Sequence, residues 1–475
     1  MGEVGLNRRA MLRSGLAWTA GAALTPVLAG CVRSAAVPTV ASPVQTVIFQ
    51  LNVQGPNNAT VQQLVQQYVD QSFNAGHRGI RAIYQRWGNI TGVIAQTIAG
   101  NGPYVISSCC NDFATAIPFL APLDPWLQKD NLSPDGWSTG QLQTFQLGQG
   151  LFGVPAYTCV QPYFYRQDVL DELGLSYPAP DWTYQDAQRL WAACASTTGG
   201  KRRYGASLPT SAGDIANGVC LLEGFGGAYM DSSRTKCLLD LPGSIAGVEY
   251  TAQLILNGVC TFGGGVVNPM LATGQMVFSQ GAGGALLWVV ENLGSSVKWD
   301  IVPYPRWPVR PASSVQVDFY GMNAEVPNQE LAWELFKYAT IDPAWTRFIM
   351  RMTLQQPALL SLWDEWETIL RSVAPVLRTK AIQWWKTGAQ EGWGYGTRFF
   401  KYQPSAAIGV FDQAWPKIWN RQLSVTAACR TIAQQVTAFE AAAAAEGPAP
   451  TAAQIIAGQK LARGQLGTMF SGASG

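Results

Sequence analysis

The sequence predicts an α/β protein in which mainly parallel sheets are flanked by helices. VQTVIFQLN alternates as a strand does, NATVQQLVQQYVDQSF has apolar residues at helical spacing, and GIRAIYQRW predicts a second strand. GVIAQTIAGNG then predicts a helix that ends on glycine, and PYVISS predicts a third strand. Strands that alternate with helices are typical of a parallel sheet with covering helices. A chain of 475 residues usually divides into two or more domains.

A second alternation of strands and helices follows in the middle of the chain. FYRQDVLDELGL leads to DWTYQDAQRLWAACAST, which predicts a capped amphipathic helix, and then to the strand RYGASLP. PGSIAGVEYTAQLILNG predicts another helix. From Ala324 the pattern is mostly helical, through ELAWELFKYAT, PAWTRFIMRM and EWETILRSV to two late helices at about 406–420 and 426–445. The tail after residue 446 is rich in Pro, Gly and Ala, which predicts partial disorder.

The first thirty residues predict an export signal peptide. The paired arginines Arg8 and Arg9 precede an uncharged stretch, residues 14–30, and small residues lead to Cys31. LAGC resembles a bacterial lipobox, whose cysteine is lipidated, and the paired arginines resemble, more weakly, a twin-arginine signal. A membrane-spanning anchor is the alternative, but a span needs roughly 20 apolar residues and this stretch is shorter and contains Pro26. We therefore expect an exported protein anchored by lipid at Cys31, on the periplasmic or outer surface.

Composition argues against several classes of protein. The formal net charge is +2 and the signal peptide holds three arginines, so the mature chain is close to neutral and does not favour nucleic acid, which needs a clustered basic face. His77 is the only histidine, and no C-x-x-C or H-x-x-x-H spacing occurs, so we expect no metal and no cofactor. No G-x-S-x-G elbow is present, and we expect His77 to be an exposed turn residue rather than a catalytic one.

Eight cysteines remain after Cys31. An exported protein lives where disulfides persist, and an even count permits pairing, but the sequence does not choose between the possible pairings. The adjacent Cys109 and Cys110 cannot pair with each other without strain. The alternative is that several of the eight are small buried hydrophobic residues.

Three glycines, Gly148, Gly150 and Gly153, have the G-x-G-x-x-G spacing of a dinucleotide-binding loop. Such a loop must follow a strand and open a helix. Here the glycines follow the helix-like QLQTFQLG and lead into the strand GVPAYT, so the order is reversed. We predict a turn that leads into this strand, and no nucleotide site.

Several segments form one ordered pattern. In chain order, the segments are AQTIAGNGPYVIS, GLFGVPAYTCVQPYFYRQDVLDELGL, PAPDWTYQDAQRL, YGASLP, LATGQMVFSQG, WDIVPYP and NQELAWELFKYAT. In this order they resemble extracellular solute-binding proteins of bacterial sugar ABC transporters, over about Val44 to Phe439. Tyr165 and Asp168 fit the family's pattern, whereas Arg166 stands where the family usually has Asn.

That resemblance implies a two-lobed periplasmic-binding-protein-like fold, with a mainly parallel sheet flanked by helices in each lobe. A hinge motion would close the lobes on the solute. The chain would cross between lobes near 159–161, 318–321 and 372–375. The predicted divisions are 1–30 signal peptide, 31–43 lipidated cysteine and flexible tether, 44–159 and 321–371 N-terminal lobe, 160–320 and 372–446 C-terminal lobe, and 447–475 tail.

The candidate ligand-binding residues follow from the fold and from the chemistry of a sugar. Ligands bind beyond the carboxyl ends of parallel strands, and a neutral sugar needs bidentate polar side chains and flat aromatic rings. The predicted contacts are Asn52, Gln54, Asn111 and Asp112 from the N-terminal lobe, Tyr157 and Gln161 at the first crossing, and Asp214, Asn217, Trp393 and Tyr395 from the C-terminal lobe. For Asn and Asp at strand ends, turn formation or helix capping is the competing interpretation. Trp288 is a further aromatic candidate, although its apolar neighbours favour the core, and Trp384 and Trp385 are expected to serve helix packing.

These observations together predict a lipid-anchored, monomeric receptor without catalytic residues. It would bind a small polar solute, a mono- or oligosaccharide, in the cleft between the lobes and deliver it to the permease of an ABC transporter. One alternative is an exported carbohydrate-active enzyme that uses Asp112 and Asp214 as paired carboxylates, although no motif singles them out. Another is a sensor or interaction lipoprotein with no part in transport.

Overall fold

The computed structural model describes residues 44–51, 58–86, 88–109, 112–137, 139–147, 150–158, 160–209, 221–263, 267–281, 285–294, 297–313, 317–390 and 404–445. Its strands are β1 Gln45–Leu51, β2 Ile80–Arg86, β3 Val105–Cys109, β4 Gln146–Leu147, β5 Gly150–Leu151, β6 Val154–Pro155, β7 Tyr163–Arg166, β8 Ser196–Thr198, β9 Lys201–Pro209, β10 Cys260–Gly263, β11 Met276–Gln280, β12 Trp299–Val302 and β13 Asp318–Met322. Its helices are α1 Asn58–Gln71, α2 Phe73–Gly76, α3 Ile90–Ile98, α4 Phe113–Ala116, α5 Asp124–Lys129, α6 Thr139–Leu142, α7 Gln167–Glu172, α8 Tyr184–Cys194, α9 Pro242–Leu256, α10 Met270–Thr273, α11 Ala285–Leu293, α12 Gln329–Thr340, α13 Pro343–Thr353, α14 Trp363–Val373, α15 Thr379–Gln390, α16 Pro404–Trp419 and α17 Val425–Ala445.

What we call the first sheet combines the pair β1–β2 with the three-stranded sheet β3–β13–β6. β1 and β2 pair in parallel along their whole length, as the alternation of strands and helices predicted. The backbone N–H of Tyr104 donates to the carbonyl of Ile48 at 2.7 Å, which joins β3 to β1. β13 pairs antiparallel with both β3 and β6. A strand from late in the chain therefore completes the sheet that the first strands begin.

Amide side chains cover the free edge of β2. The side chain of Asn74 bonds both backbone groups of Ala82: its Oδ1 accepts from the N–H at 2.7 Å and its Nδ2 donates to the carbonyl at 3.0 Å. Gln66 on α1 accepts from the N–H of Tyr84 at 2.7 Å and donates to the same Ala82 carbonyl at 3.2 Å. These amides occupy groups that would otherwise offer a template for another strand.

The second sheet has the strand order β10, β9, β11, β7, β12, with β8 paired to β9. β9 is parallel to both β10 and β11, while β7 is antiparallel to β11 and β12. Helix α8, predicted as a capped amphipathic helix, begins with a capping box between Thr183 and Asp186. It packs so closely on β9 that a Cβ at Gly205 would lie 2.1 Å from the carbonyl oxygen of Trp191, which requires glycine. The predicted mainly parallel sheet is confirmed for β9, β10, β11 and β12, which run the same way, whereas β7 and β8 run in the opposite direction.

The glycine-rich stretch lies in a hairpin. β4 and β5 pair antiparallel, with Gln146 opposite Leu151 and Leu147 opposite Gly150, and β6 follows. Gly148 lies outside the described residues. The predicted lead into a strand is confirmed, because β6 and not a helix follows the glycines, whereas Gln146–Leu147, expected to be helical, form strand β4.

The helices at the end of the described chain join different parts of the core. α14 and α15 share one buried cluster with residues of β7 and β12, among them Phe164, Trp299 and Ile301. α16 contributes Phe411, whose ring makes an edge contact with Tyr229 at 5.6 Å. The two late helices predicted from the sequence are confirmed at 404–419 and 425–445. Trp385 is buried as expected, whereas Trp288 is only partly buried.

His77 and the cysteines fill structural positions. His77 is half-buried rather than an exposed turn residue, because its ring stacks on Phe73 at 3.9 Å and its Nε2 lies 3.3 Å from a carboxylate oxygen of Glu334. The described residues include Cys109, Cys194, Cys237, Cys260 and Cys429, and the last four are free thiols. All except Cys109 are buried, in agreement with the hydrophobic interpretation. Among the helices in the described part of the chain, none is long and apolar enough to cross a membrane.

Candidate functional site

One edge of the first sheet carries the carboxyl ends of its parallel strands. Nε2 of Gln45, the first residue of β1, donates at 3.2 Å to the hydroxyl of Tyr104, which directly precedes β3, so the two strands begin close together. β3 ends at Cys109, which is in register with Asp318, the first residue of β13. Ligands bind beyond this edge in sheets of this kind. Asp318 therefore begins its strand at the edge where a ligand is expected.

One edge of the second sheet also carries the carboxyl ends of parallel strands. β11 ends at Gln280 and β12 at Val302, and both residues are in register with Tyr163, where β7 begins. β9 and β10 run parallel to β11 and end on the same side, at Pro209 and Gly263. The carboxyl ends of four strands and the amino end of β7 thus share this edge.

Two links of the chain join these edges. Residues 156–162 connect the end of β6 to the start of β7, and even when fully extended they span at most about 25 Å. A second link runs from the end of β12 to the start of β13 at Asp318. The two edges are therefore held near each other, and we call the edges together with the 156–162 link the candidate site.

Asp112 lies just beyond the end of β3, at the candidate site. The Ser108 hydroxyl donates to its Oδ2 at 2.5 Å. Burial raises the pKa of this carboxyl above its usual range, and the hydrogen bond from Ser108 offsets part of that effect. Asp112 stands at the N-cap of α4, but its side chain makes no capping hydrogen bond within the described residues. Helix capping, the competing interpretation of Asp112, therefore does not occupy its carboxylate.

Tyr157 and Gln161 lie on the link and are almost fully buried, at 3% and 1% exposure. The Tyr157 hydroxyl donates to Oδ2 of Asp318 at 3.3 Å, which ties the link to the first sheet. The hydroxyl of Ser313 donates to the Gln161 carbonyl at 3.0 Å. The structure brings Asp112, Tyr157 and Gln161 to the candidate site; their contact with a ligand stays a prediction.

The remaining predicted contacts, Asn52, Gln54, Asn111, Asp214, Asn217, Trp393 and Tyr395, lie outside the described residues, as does Cys31. Their roles also stay predictions. The segments that hold five of the seven directly follow strands that are described. Residues 52–57 follow β1, residues 110–111 follow β3, and residues 210–220 follow β9.

A buried polar cluster at the second sheet was missed by the sequence analysis. Tyr304 donates its hydroxyl proton to Oε1 of Gln280 at 3.0 Å, and the Ser207 hydroxyl accepts from the Gln280 backbone N–H at 3.3 Å. The hydroxyls of Ser207 and Ser279 lie 3.4 Å apart. The available signal was a polar residue near the end of an otherwise apolar strand, as in YGASLP and MVFSQ.

Arg86 was missed as well. It is the last residue of β2, at the same edge as the end of β1, with which it pairs at Leu51. It is partly buried, and its Nε is shielded from solvent without a hydrogen bond to any described residue. A buried donor without a partner costs free energy unless something else bonds it.

Arg166, which replaces the family's usual Asn, has a structural role. Its guanidinium binds the Asp168 carboxylate through two nitrogens, at 2.8 and 2.7 Å. A third nitrogen donates to the carbonyls of Leu271 and Ala272 at 2.8 and 3.1 Å, near the end of α10. The bidentate pair and the carbonyls of a helix end suit a planar cation, which accounts for an arginine at this position.

The fold and the two strand edges joined by the link define a class of two-lobed α/β binding proteins. Solved structures that are similar to this chain agree with this class. An ABC substrate-binding protein from Listeria monocytogenes in complex with cycloalternan is 15% identical, with a TM-score of 0.66 over 83% of this chain and 99% of that one. A cyclic alpha-maltosyl-1,6-maltose binding protein from Arthrobacter globiformis is 17% identical, with a TM-score of 0.61 over 84% and 99%. UgpB from Mycobacterium tuberculosis in complex with glycerophosphocholine is 14% identical, with a TM-score of 0.61 over 83% and 98%.

Residues 54–344 match the family model described as bacterial extracellular solute-binding protein. The chain belongs to this family, which confirms the resemblance drawn from the ordered segments. The solved structures, at 14 to 17% identity, confirm the two-lobed fold. The family is one of binding proteins.

Proposed function

We propose that this protein is a receptor that binds a mono- or oligosaccharide in the candidate site, as a monomer, and delivers it to the permease of an ABC transporter. The observation that carries the proposal is the pair of strand edges joined by the 156–162 link. Such edges are where solutes bind in open α/β sheets. The carbohydrate ligands of two similar structures, cycloalternan and cyclic alpha-maltosyl-1,6-maltose, support a sugar as the solute.

The side chains at the candidate site suit hydroxyl groups. Amides such as those of Gln161 and Gln280 both donate and accept, a carboxylate such as Asp112 accepts from two neighbouring hydroxyls, and Arg86 only donates. Trp393 and Tyr395 would supply the flat faces on which sugar rings stack. This set gives each hydroxyl of a sugar a complementary partner.

We also propose a revised division into lobes. The first two crossings stay near 159–161 and 318–321. Because α14 packs in one cluster with Phe164 and Trp299 of the second sheet, we place the third crossing near 354–358 in place of 372–375. Residues 359–371 then belong to the C-terminal lobe.

The proposal is tested by thermal unfolding in the presence of single sugars. A ligand at one hundred times its dissociation constant stabilises the native state by about 2.7 kcal/mol, so a true ligand raises the melting temperature measurably. Asp112→Ala should weaken binding of that sugar at least tenfold, whereas Asp135→Ala, an exposed residue of a short 3-10 turn, should not. Melting temperatures that respond to peptides, amino acids or polyamines but to no sugar would refute the carbohydrate part of the proposal. Recovery of the sugar unchanged after incubation would exclude its turnover.

The proposed lipid anchor at Cys31 has its own test. In a bacterial host that lipidates lipobox proteins, the natural sequence should fractionate with membranes, and Cys31→Ala should be found in the soluble exported fraction. A Cys31→Ala protein that still fractionates with membranes would contradict the lipobox assignment. Cys109→Ala is the matched control, since it removes another cysteine and should leave the fractionation unchanged.

A further inference from the structure

The backbone around Val160, in the middle of the 156–162 link, is held by side chains from late in the chain. Its N–H donates to Oε1 of Gln356 at 3.3 Å, and Nε2 of Gln356 donates to its carbonyl at 3.4 Å. The indole N–H of Trp385 donates to the same carbonyl. If the Gln356 amide is rotated by 180°, it donates to the Thr158 carbonyl and accepts from Trp385 at 2.7 Å instead. Both orientations tie the link to Gln356.

These contacts are shielded from water. Val160, Gln356 and Trp385 are 1%, 6% and 2% exposed, so water cannot readily replace a lost hydrogen bond. The Trp385 ring meets Trp366 edge-on at 5.3 Å, and the Trp366 indole N–H donates to the carbonyl of Leu354 at 3.0 Å. Helices α14 and α15 and the segment 354–356 therefore form one packed block around the link.

The link changes partners at Thr158. On its C-terminal side, Val160 belongs to the same buried cluster as Trp299 of the second sheet. On its N-terminal side, the backbone N–H of Ala156 donates to the Asp318 carbonyl at 2.8 Å, and the Tyr157 hydroxyl bonds the Asp318 carboxylate, both in the first sheet. Residues before Thr158 are thus bonded to one sheet, and residues after it pack with the other.

We propose that Gln356 and Trp385 are positioning residues for solute binding. They fix Val160 and Gln161 to the second sheet, while Ala156 and Tyr157 stay bonded to the first. Relative movement of the sheets is then taken up at about Thr158, and the Gln161 side chain keeps its place at the site. The inference rests on the proposed function, in which Gln161 contacts the solute. Neither Gln356 nor Trp385 needs to touch the solute for this role.

Hydrogen exchange in the absence of ligand tests whether the link is held. Gln356→Leu and Trp385→Phe should each raise the exchange rate of the backbone amides at 160–161 at least tenfold. The matched control is Trp363→Phe: Trp363 is 3% exposed and also meets Trp366, at 5.1 Å, but its indole N–H bonds no described residue. Circular dichroism verifies that each variant is folded. Exchange rates equal to those of the control in both variants would overturn the proposal.

Affinity measurements test whether holding the link positions Gln161. The probe is whichever of maltose, maltotriose, mannotriose and tagatose stabilises the natural protein most, and calorimetry should show about five- to tenfold weaker binding in both variants but not in Trp363→Phe. Adding Trp385→Phe to Gln161→Ala should cost no further affinity, because the two act through one contact. If the natural protein binds none of these sugars, the proposed function is contradicted, while the exchange rates still decide whether the link is held. If it binds and the variants match the control, the positioning role is wrong.

Discussion

Asp300 and Arg378 form an ion pair in which only the acid is buried. The side chain of Asp300, on β12, is 0% exposed, and that of Arg378 is 42% exposed. Burial is the largest influence on Asp300 and raises its pKa, while the backbone N–H of Ile301, which donates to Oδ1 at 2.8 Å, and the Arg378 charge favour the ionised form. Arg378 also donates to the Tyr165 hydroxyl at 2.9 Å. The pair therefore anchors the start of α15 to the second sheet.

Separate removal of Arg378 and of Asp300 should reduce the free energy of unfolding by unequal amounts. Arg378→Met leaves an uncompensated buried carboxylate and should reduce the free energy of unfolding by about 3–5 kcal/mol. Asp300→Asn leaves an arginine that can turn to water, so its cost should be smaller. Urea unfolding at neutral pH measures both, with Lys129→Met, from an exposed ion pair with Glu330, as the control that should change little. Equal losses for Arg378→Met and Asp300→Asn would contradict this account.

The raised pKa of Asp112 predicts that the stability of the folded protein depends on pH. Because burial raises its pKa in the folded protein, the folded state holds the proton more tightly than the unfolded state does. Its contribution to stability is therefore full below the unfolded pKa of about 3.9 and is lost as pH rises through the higher folded pKa. Asp112→Asn, which can still accept from Ser108, should become more stable relative to the natural protein between pH 4 and pH 7. Melting temperatures across this range give the test, and a difference that does not change with pH would count against it.

At the scale of elements, local pattern predicted the strands and helices but not their long-range pairing. The apolar runs around Phe49, Tyr84 and Ile106 marked β1, β2 and β3 because each is buried on the sheet. Neither the insertion of β13 between β3 and β6 nor the reversed direction of β7 has a local signal, since pairing is decided by distant residues. The positions of Gln280 and Arg86 in the candidate site could not be predicted for the same reason. Each is set by the register of its sheet, which depends on distant residues.

Loss of the Asn74 side chain, which covers the free edge of β2, should destabilise the protein. Asn74→Ala removes the side-chain partner of the Ala82 N–H and one of the two partners of its carbonyl, which Gln66 still bonds. The change should cost about 1–3 kcal/mol, because the N–H is left without a bond at a half-buried edge. The exposed edge should also promote association. Urea unfolding and light scattering measure the two effects. Asn292→Ala, at an exposed helix position where Nδ2 bonds only the Trp288 carbonyl, is the control; a loss of the same size there would show that the edge is not the cause.

At the scale of the whole molecule, the two links and the proposed third crossing restrict how the lobes can move. Several segments joining the same two bodies favour a hinge over independent tumbling. If the proposed function holds, a sugar that contacts both edges stabilises the closed arrangement. Small-angle scattering should then show a smaller radius of gyration when the sugar is bound, in the natural protein but not in Asp112→Ala at the same sugar concentration. An unchanged radius in the natural protein at saturating sugar would argue against closure.

The buried free thiols make it possible to measure how often the folded core opens. Burial raises the pKa of Cys194, Cys237 and Cys429 to about 12, so at neutral pH almost none of them is a thiolate, the form that reacts. An alkylating reagent can therefore reach them only when the surrounding core separates. The rate of labelling reports the frequency of that separation, residue by residue, under native conditions and without an introduced probe. In an oxidising compartment the same burial keeps these thiols from mispairing for as long as the chain stays folded.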